Sequence, residues 1–191
     1  MARMDKLDLT AQINSMLNAK RIYRDGVANF VIENLETFPF LVELTFGDQK
    51  EIAIKSSWVL ELVCLQNIDL LTPYIDYFIE NIDKPSNESI LRPLAKICFL
   101  IAKAYYSKTD HQIRSGLTEQ HKNKIVEVTF DWLINDHKVA NQVFAMDALF
   151  LFGKEYDWIP NELTLVLEKQ IQCGSPVYQV RAKRILKKLK I

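Results

Sequence analysis

Few residues of this 191-residue chain have the spacing that metal binding or catalysis requires. The three histidines, His111, His121 and His137, include no pair four residues apart, so no helical turn presents two imidazoles to one metal ion. No two of the three cysteines stand two residues apart, and the five glycines form no phosphate-binding pattern. We therefore predict no metal site, no cofactor and no catalytic residue, and we interpret the cysteines as reduced thiols, the first two of them buried.

Acidic pairs and single histidines have structural interpretations. Asp76 and Glu80 could share acid and base work on one helix face, but this four-residue spacing is common on solvated helices. His121 and His137 are expected on polar faces or at helix ends. His111 lies beside Asp110 in a turn-rich segment, where a surface loop and a functional loop cluster are both open interpretations.

Cations recur at one position of a repeating pattern. Four segments of the sequence, starting at residues 54, 91, 143 and 180, can be overlaid on one another. The residues directly after these starts are three cations and one aromatic residue: Lys55, Arg92, Phe144 and Arg181. Such a column either pairs with acids or carbonyl ends of an adjacent turn, or forms a basic ladder that reaches a partner. Both interpretations are open from the sequence.

The elements that position this column are helices. Leu, Ile, Lys, Glu and Ala are abundant while Gly and Pro are scarce, which favours an all-α fold. Clusters of breaker residues divide the chain into about ten predicted helices, near residues 8–18, 20–36, 39–46, 50–66, 70–82, 88–108, 118–135, 138–154, 160–172 and 176–190. Thr72-Pro73 and Ser175-Pro176 each place a capping hydroxyl before a proline, so both are predicted helix starts.

Each overlaid segment carries an apolar stripe at helical spacing. The stripes are Ser56, Val59, Leu60 and Val63; Ala145, Ala148, Leu149 and Phe152; and Ala182, Ile185, Leu186 and Leu189. Pro93 and Lys96 interrupt the second segment, so its stripe is expected one place later, at Leu94, Ile97, Cys98 and Ile101. Spacings of 37, 52 and 37 between the starts indicate stacked helix pairs with an insertion near residues 104–118.

Tryptophans divide into two groups. Trp58 lies within the first repeat core and Trp132 within an amphipathic run, so both are predicted core residues. Trp158 stands in a turn before a predicted helix, where it either staples that helix or is exposed for a partner.

The last repeat carries a family resemblance. From Ile159 to Leu189, Ile-Pro opens one helix, a Gly-Ser-Pro turn follows, and Val180-Arg181 leads into Ala182 and Leu186. This stretch resembles a HEAT or HEAT-like repeat, and residues 91–95 are similar to the Val-Arg-x-x-Ala core of that repeat. The resemblance covers residues 39–190 and implies an α-α superhelix of about five stacked antiparallel helix pairs. We expect residues 1–191 to form one such domain, with residues 1–38 as N-terminal capping helices.

Charge is balanced overall but uneven along the chain. There are 24 basic and 24 acidic residues, yet residues 29–85 contain ten acids against three lysines, and residues 176–191 contain six cations and no acid. The basic final helix is either a solvated capping helix or a docking surface for phosphates, an acidic protein, or the acidic segment of a second copy. The candidate partner-binding residues are Lys55, Arg92, Phe144, Arg181, Arg184, Lys187 and Lys188.

Function follows from the resemblance and not from a motif. HEAT-like proteins are mostly scaffolds that hold another chain, so we predict a non-enzymatic protein–protein interaction scaffold or adaptor. The alternative is a nucleic-acid-binding protein or an enzyme similar to the HEAT-like alkylpurine DNA glycosylases, which hold DNA in a basic groove. The acidic or neutral middle of the chain favours a protein partner over nucleic acid. The absence of an apolar run of membrane-spanning length and of a secretory signal leads us to expect a cytoplasmic location.

Overall fold

The computed structural model describes residues 4–135 and 137–190, which form α-helices packed against one another, with no strand among them. The helices are α1 (Lys6–Ser15), α2 (Arg21–Glu33), α3 (Phe38–Thr45), α4 (Lys50–Gln66), α5 (Ile75–Asn81), α6 (Glu88–Tyr105), α7 (Ile113–Gly116), α8 (Glu119–Ile134), α9 (Val139–Phe152), α10 (Ile159–Gln170) and α11 (Pro176–Leu189). Two 3-10 helices cover Leu35–Thr37 and Ile68–Tyr74. The predicted all-α fold is confirmed. None of the helices described has the length and apolar character needed to cross a lipid bilayer.

Four helices form one layer in chain order. Helix α6 packs against both α4 and α9, and α11 packs against α9. Behind them, α3 packs on α4, α8 packs on α9, and α10 contacts both α9 and α11. Helix α5, expected from the sequence to pair with α6, packs mainly against α8 and the 3-10 helix that precedes it. The superhelical path and the HEAT-like family stay predictions.

The predicted stripes form the core between these layers. The stripes of α4, α6 and α9, including the shifted one on α6, are fully buried. On α11, Ala182 and Ile185 are buried, whereas Leu186 and Leu189 are only partly covered. The last stripe is less buried because no later helix of the described chain packs on α11. On α6, Pro93 is itself buried, whereas Lys96 is only partly buried and its ammonium contacts Glu61.

One of the two predicted helix starts is confirmed and the other is wrong. Ser175 caps α11, where its Oγ accepts a hydrogen bond from the Tyr178 amide at 3.4 Å and Pro176 occupies the first turn. Thr72-Pro73 lies instead inside the second 3-10 helix, and α5 begins only at Ile75. Thr72 does not cap a helix, because the 3-10 helix that contains it is already capped by Asn67. The Asn67 side chain accepts a hydrogen bond from the Asp69 amide at 3.1 Å. Burial of Leu71 then holds the intervening turn against the core.

The three tryptophans occupy different environments. Trp132 is a core residue as predicted, with 3% of its surface exposed. The core prediction for Trp58 is wrong, because its ring is only half-buried and its Nε1 donates to the Ser89 carbonyl at 3.2 Å. Trp158 is half exposed and stacks on Phe130, with 5.5 Å between ring centroids.

The insertion is a hydrogen-bonded loop. Its single-turn helix α7 is held by Asp69, which accepts from the Ile113 amide at 3.0 Å and contacts His111 Nδ1 at 3.1 Å. Arg114 donates to the carbonyls of Tyr105 and Thr109 within the same loop. These bonds show that His111 and Arg114 order the insertion.

Candidate functional site

One surface of the layer formed by α4, α6, α9 and α11 brings most of the predicted residues together. Its side chains stand three or four residues apart on each helix, so they emerge on one side of α4, α6, α9 and α11. We name this surface the basic face. Its residues are Trp58, Glu61, Arg92, Lys96, Phe99, Ala140, Phe144, Asp147, Phe150, Arg181, Arg184 and Lys188.

Glu61 anchors the face between α4 and α6. Its carboxylate is buried, with 4% of the side chain exposed, and contacts Arg92 Nη2 at 2.6 Å and Lys96 Nζ at 3.1 Å. A buried carboxylate needs such partners because transfer out of water strongly penalises the charge. Arg92 therefore has the pairing role that was open from the sequence. Glu61 was missed because it lies in an apolar run and 31 residues separate it from Arg92.

Phe144 replaces the cation of the column with an aromatic contact. Its ring stacks on Phe99 of α6, with centroids 6.3 Å apart and an angle of 27° between planes. Lys96 Nζ lies 5.5 Å from the centroid of the Phe144 ring, within the range of a cation–π interaction. Lys96 thus links the Glu61 ion pair to the two phenylalanines, and the face is continuous from α4 to α9.

Asp147 forms a similar buried ion pair between α9 and α11. Its carboxylate contacts Arg181 Nη1 at 2.9 Å, and only 10% of the side chain is exposed. Burial raises the pKa of Asp147 above its usual value, although the nearby charges of Arg181 and Arg184 work to lower it. The ion pair joins residues on adjacent helices, as the Glu61 pair does.

A cavity of about 140 Å³ lies beside this pair. Its walls include Phe99, Phe150, Arg184 and Lys188, and Lys188 Nζ lies 5.4 Å from the centroid of the Phe150 ring. Arg184 and Lys188 are exposed, whereas Asp147 is already paired with Arg181. The whole basic face carries five cations and two carboxylates, so its uncompensated charge is positive.

Two predicted residues lie outside this surface. Lys55 pairs with Glu51 of its own helix at 3.0 Å and contributes no link to the neighbouring helix through that pair. Lys187 is exposed on α11 but does not line the cavity beside Asp147. The basic face therefore combines Arg92, Phe144, Arg181, Arg184 and Lys188 of the predicted set.

A second cavity of about 330 Å³ lies at the opposite end of the face. It is lined by residues from the loop before α2 and from α2, α4, α6 and α9, together with the residue before α9: Ala19, Arg24, Trp58, Glu88, Ser89, Arg92, Lys138, Ala140 and Asn141. Three of these side chains are cations and one is a tryptophan. Arg24 and Asn141 could not be found from the sequence, because neither belongs to the repeat column.

Glu88 organises the wall of this second cavity. Its carboxylate contacts His137 Nδ1 at 2.7 Å and accepts hydrogen bonds from the Lys138 amide at 3.1 Å and Asn141 Nδ2 at 2.5 Å. Burial works to raise the pKa of Glu88, but the hydrogen bonds from His137 and Lys138 outweigh it and hold the pKa below the usual range. His137 stands just before α9, at a helix end as predicted.

The lowered pKa predicts a pH-dependent contribution to stability. The ionised Glu88 stabilises the fold above the pKa it has in the unfolded chain, and this contribution is lost as pH falls through the lower folded pKa. We expect Glu88→Gln to lower the free energy of unfolding by about 1 kcal/mol near pH 7, and by much less below about pH 3. Urea unfolding of both proteins across this range measures the difference. Glu162→Gln, at an exposed position on α10, is the control, and a Glu88 effect that is independent of pH would contradict the assignment.

A separate cluster surrounds the buried Lys122 of α8. Lys122 Nζ contacts Glu155 at 2.5 Å and the Tyr105 hydroxyl at 3.2 Å, and it also pairs with Glu119. The Tyr156 hydroxyl donates to Glu119 at 3.0 Å. This cluster ties the start of α8 to the end of α6 and to the turn after α9, across the insertion. Sequence reasoning missed it, because its five residues come from three separate segments.

The ionisation states of this cluster do not suit catalysis at neutral pH. Burial works to lower the pKa of Lys122, but hydrogen bonds to Glu119 and Glu155 outweigh it and hold the pKa above the usual lysine range. Burial, with a hydrogen bond to Glu119, raises the pKa of Tyr156 to about 12. General acid–base catalysis is most effective with a pKa near the working pH, so we assign the cluster a structural role.

Thiols and metal ligands offer no alternative site in the part of the chain described. No group of three or more His, Cys, Asp or Glu side chains could hold a metal ion there. Cys64 and Cys98 are buried, and burial raises the pKa of Cys98 to about 12, which disfavours the reactive thiolate. Cys173 is an exposed free thiol.

Comparison with known proteins gives no match, either to a protein-family model or to a curated protein. What the basic face binds must therefore be inferred from its own chemistry.

Proposed function

We propose that this chain is a HEAT-like, non-enzymatic interaction scaffold whose basic face binds an acidic segment of a partner protein. The observation that carries the proposal is the composition of the face, in which five cations and three phenylalanines surround two carboxylates that are already paired. Exposed cations attract a negatively charged segment, and the phenylalanine rings give its apolar side chains a contact surface. We also propose a cytoplasmic location, which the free cysteines support.

The paired carboxylates favour a peptide over nucleic acid. Glu61 and Asp147 lie within the face, where they would repel a regularly spaced row of phosphates. An acidic peptide can place neutral residues opposite them. Cations alternating with aromatic rings also occur in channels for single-stranded nucleic acid, so nucleic acid is the alternative outcome of the test.

Fluorescence anisotropy with a labelled peptide in which glutamate alternates with serine tests the proposal. We expect binding at about 50 mM salt that weakens as the salt concentration rises. Replacing Arg184 and Lys188 with glutamate should weaken it about tenfold or more, because both cations line the cavity beside Asp147 and are exposed. Arg181 is left unchanged, since its loss would leave Asp147 without its ion-pair partner.

The same helix supplies a matched control. Replacing Lys183 and Lys187 with glutamate changes the net charge equally, but neither residue lines that cavity. Equal losses in the two double variants would contradict a specific face and indicate attraction by overall charge alone. Tighter binding of single-stranded or duplex DNA of matched charge than of the peptide would replace the proposed function with nucleic-acid binding.

A further inference from the structure

Two buried polar atoms without partners lie in the residues that line the cavity at the α2 end of the basic face. Asn141 is fully buried, and its Oδ1 has no hydrogen-bond partner among residues 4–135 and 137–190. Arg24 as a whole is only partly buried, but its Nε atom is buried and has no acceptor within these residues. Both side chains line this cavity. An unpaired buried polar atom costs about 1–3 kcal/mol, so such atoms call for a ligand or an ordered water.

The orientation of the Asn141 amide is determined by its neighbour. Glu88 is a carboxylate that accepts hydrogen bonds, so the Asn141 nitrogen must face it, at 2.5 Å. The amide oxygen must then be the atom left without a partner. Glu88 is itself held by His137 and by the Lys138 amide, so Asn141 presents an acceptor from a fixed wall.

The two atoms have complementary requirements. Asn141 Oδ1 needs a donor and Arg24 Nε needs an acceptor. An extended peptide supplies both, because a residue in a strand can donate through its N–H and accept through its C=O on the same edge. An ionised carboxylate or a phosphodiester would satisfy Arg24 but would offer no donor to Asn141.

The remaining walls suit the same kind of chain. Arg92 and Lys138 bring further positive charge to the cavity, and Trp58 offers the face of an indole ring. Arg92 also belongs to the Glu61 ion pair, so the cavity is continuous with the rest of the basic face. A bound peptide would therefore continue from this cavity towards the cations of α11.

We propose that this cavity holds the main chain of the acidic peptide, with Asn141 Oδ1 accepting one backbone N–H and Arg24 Nε donating to one backbone carbonyl. This inference rests on the proposed function, because the peptide is the one that the basic face binds. It adds a site whose recognition depends on backbone amides in place of side-chain charge.

A backbone ester scan of the glutamate–serine peptide separates the two contributions. Replacing one amide at a time with an ester removes a single N–H donor and leaves every side-chain charge in place. For the unchanged protein we expect one position at which the ester weakens binding about tenfold. For Asn141→Ala we expect weaker binding of the parent peptide and no further loss at that position.

Two other variants complete the test. Gln142→Ala removes a neighbouring amide that does not line the cavity and donates towards the carbonyls of Leu133 and Asn135, so it should show the full ester effect. Arg24→Met leaves the Glu88 cluster intact and serves if Asn141→Ala unfolds. It should weaken binding of the parent peptide and retain the ester effect at Asn141.

The outcomes distinguish the inference from the proposed function. A scan in which no ester weakens binding, while Arg184→Glu with Lys188→Glu still weakens it, overturns the backbone site and leaves the basic face as a charged surface. The buried atoms would then be satisfied by water. An equal ester effect in Asn141→Ala also overturns the inference. No binding of the parent peptide to the unchanged protein overturns both.

Discussion

Replacing Arg92 and Lys96 together with alanine is expected to lower the free energy of unfolding by about 3 kcal/mol. The double change leaves the buried Glu61 carboxylate without either of its ion-pair partners. A carboxylate in this position cannot recover its hydration without local opening of the contact between α4 and α6. Urea unfolding followed by circular dichroism at neutral pH measures the loss.

Two further variants make the first prediction specific. Adding Glu61→Leu to the double variant removes the unpaired buried carboxylate and should restore most of the stability, since a hydrophobic residue suits this buried site. Lys103→Ala removes an exposed cation from the same helix and should change stability by less than about 0.5 kcal/mol. A double variant as stable as the unchanged protein would show that water reaches Glu61.

Replacing Glu119 and Glu155 together with alanine should also destabilise the fold by about 3 kcal/mol, because it leaves the buried Lys122 ammonium without an anionic partner. This side chain is 2% exposed, and both carboxylates that neutralise it would be gone. Thermal unfolding should show a midpoint lower by about 10 °C. The Tyr105 hydroxyl, at 3.2 Å, remains as a hydrogen-bond partner but carries no compensating charge.

An asymmetry between the partners tests the physical reason. Lys122→Met alone should cost much less, because Glu119 and Glu155 are partly exposed and can return to water. Adding Lys122→Met to the double variant should recover stability. Loss of equal size in Lys122→Met and in the double variant would show that packing, and not the stranded charge, determines the effect.

Burial explains why these ion pairs differ from others on the surface. Lys6–Glu43 and Lys190–Glu168 join side chains that are about half exposed or more. Such pairs contribute about 0–1 kcal/mol, because both charges stay hydrated when the pair breaks. Glu61 and Lys122 lack that hydrated alternative, so the loss of their partners has the larger effect.

Much of the helical framework could be predicted from the sequence. The stripes on α4, α6 and α9 are buried as their spacing indicates, and Ser175-Pro176 starts α11. These features depend on residues within a few turns of one another, and helical periodicity makes such relations visible in a sequence. The wrong prediction at Thr72-Pro73 also has a local cause. Asn67 caps the 3-10 helix that contains this dipeptide, and the dipeptide alone does not reveal the competing cap.

The sequence by itself determined that the protein is all-α, that α4, α6 and α9 bury apolar stripes, and that cations recur beside the stripes. Only the tertiary structure decided which acids these cations meet. Arg92 lies 31 residues from Glu61, Arg181 lies 34 residues from Asp147, and Asn141 lies 53 residues from Glu88. Such pairings depend on how far each helix slides and rotates against its neighbour, which is set by the packing of whole faces and not by a short pattern. The same docking brings Arg24, Trp58 and Asn141 around one cavity.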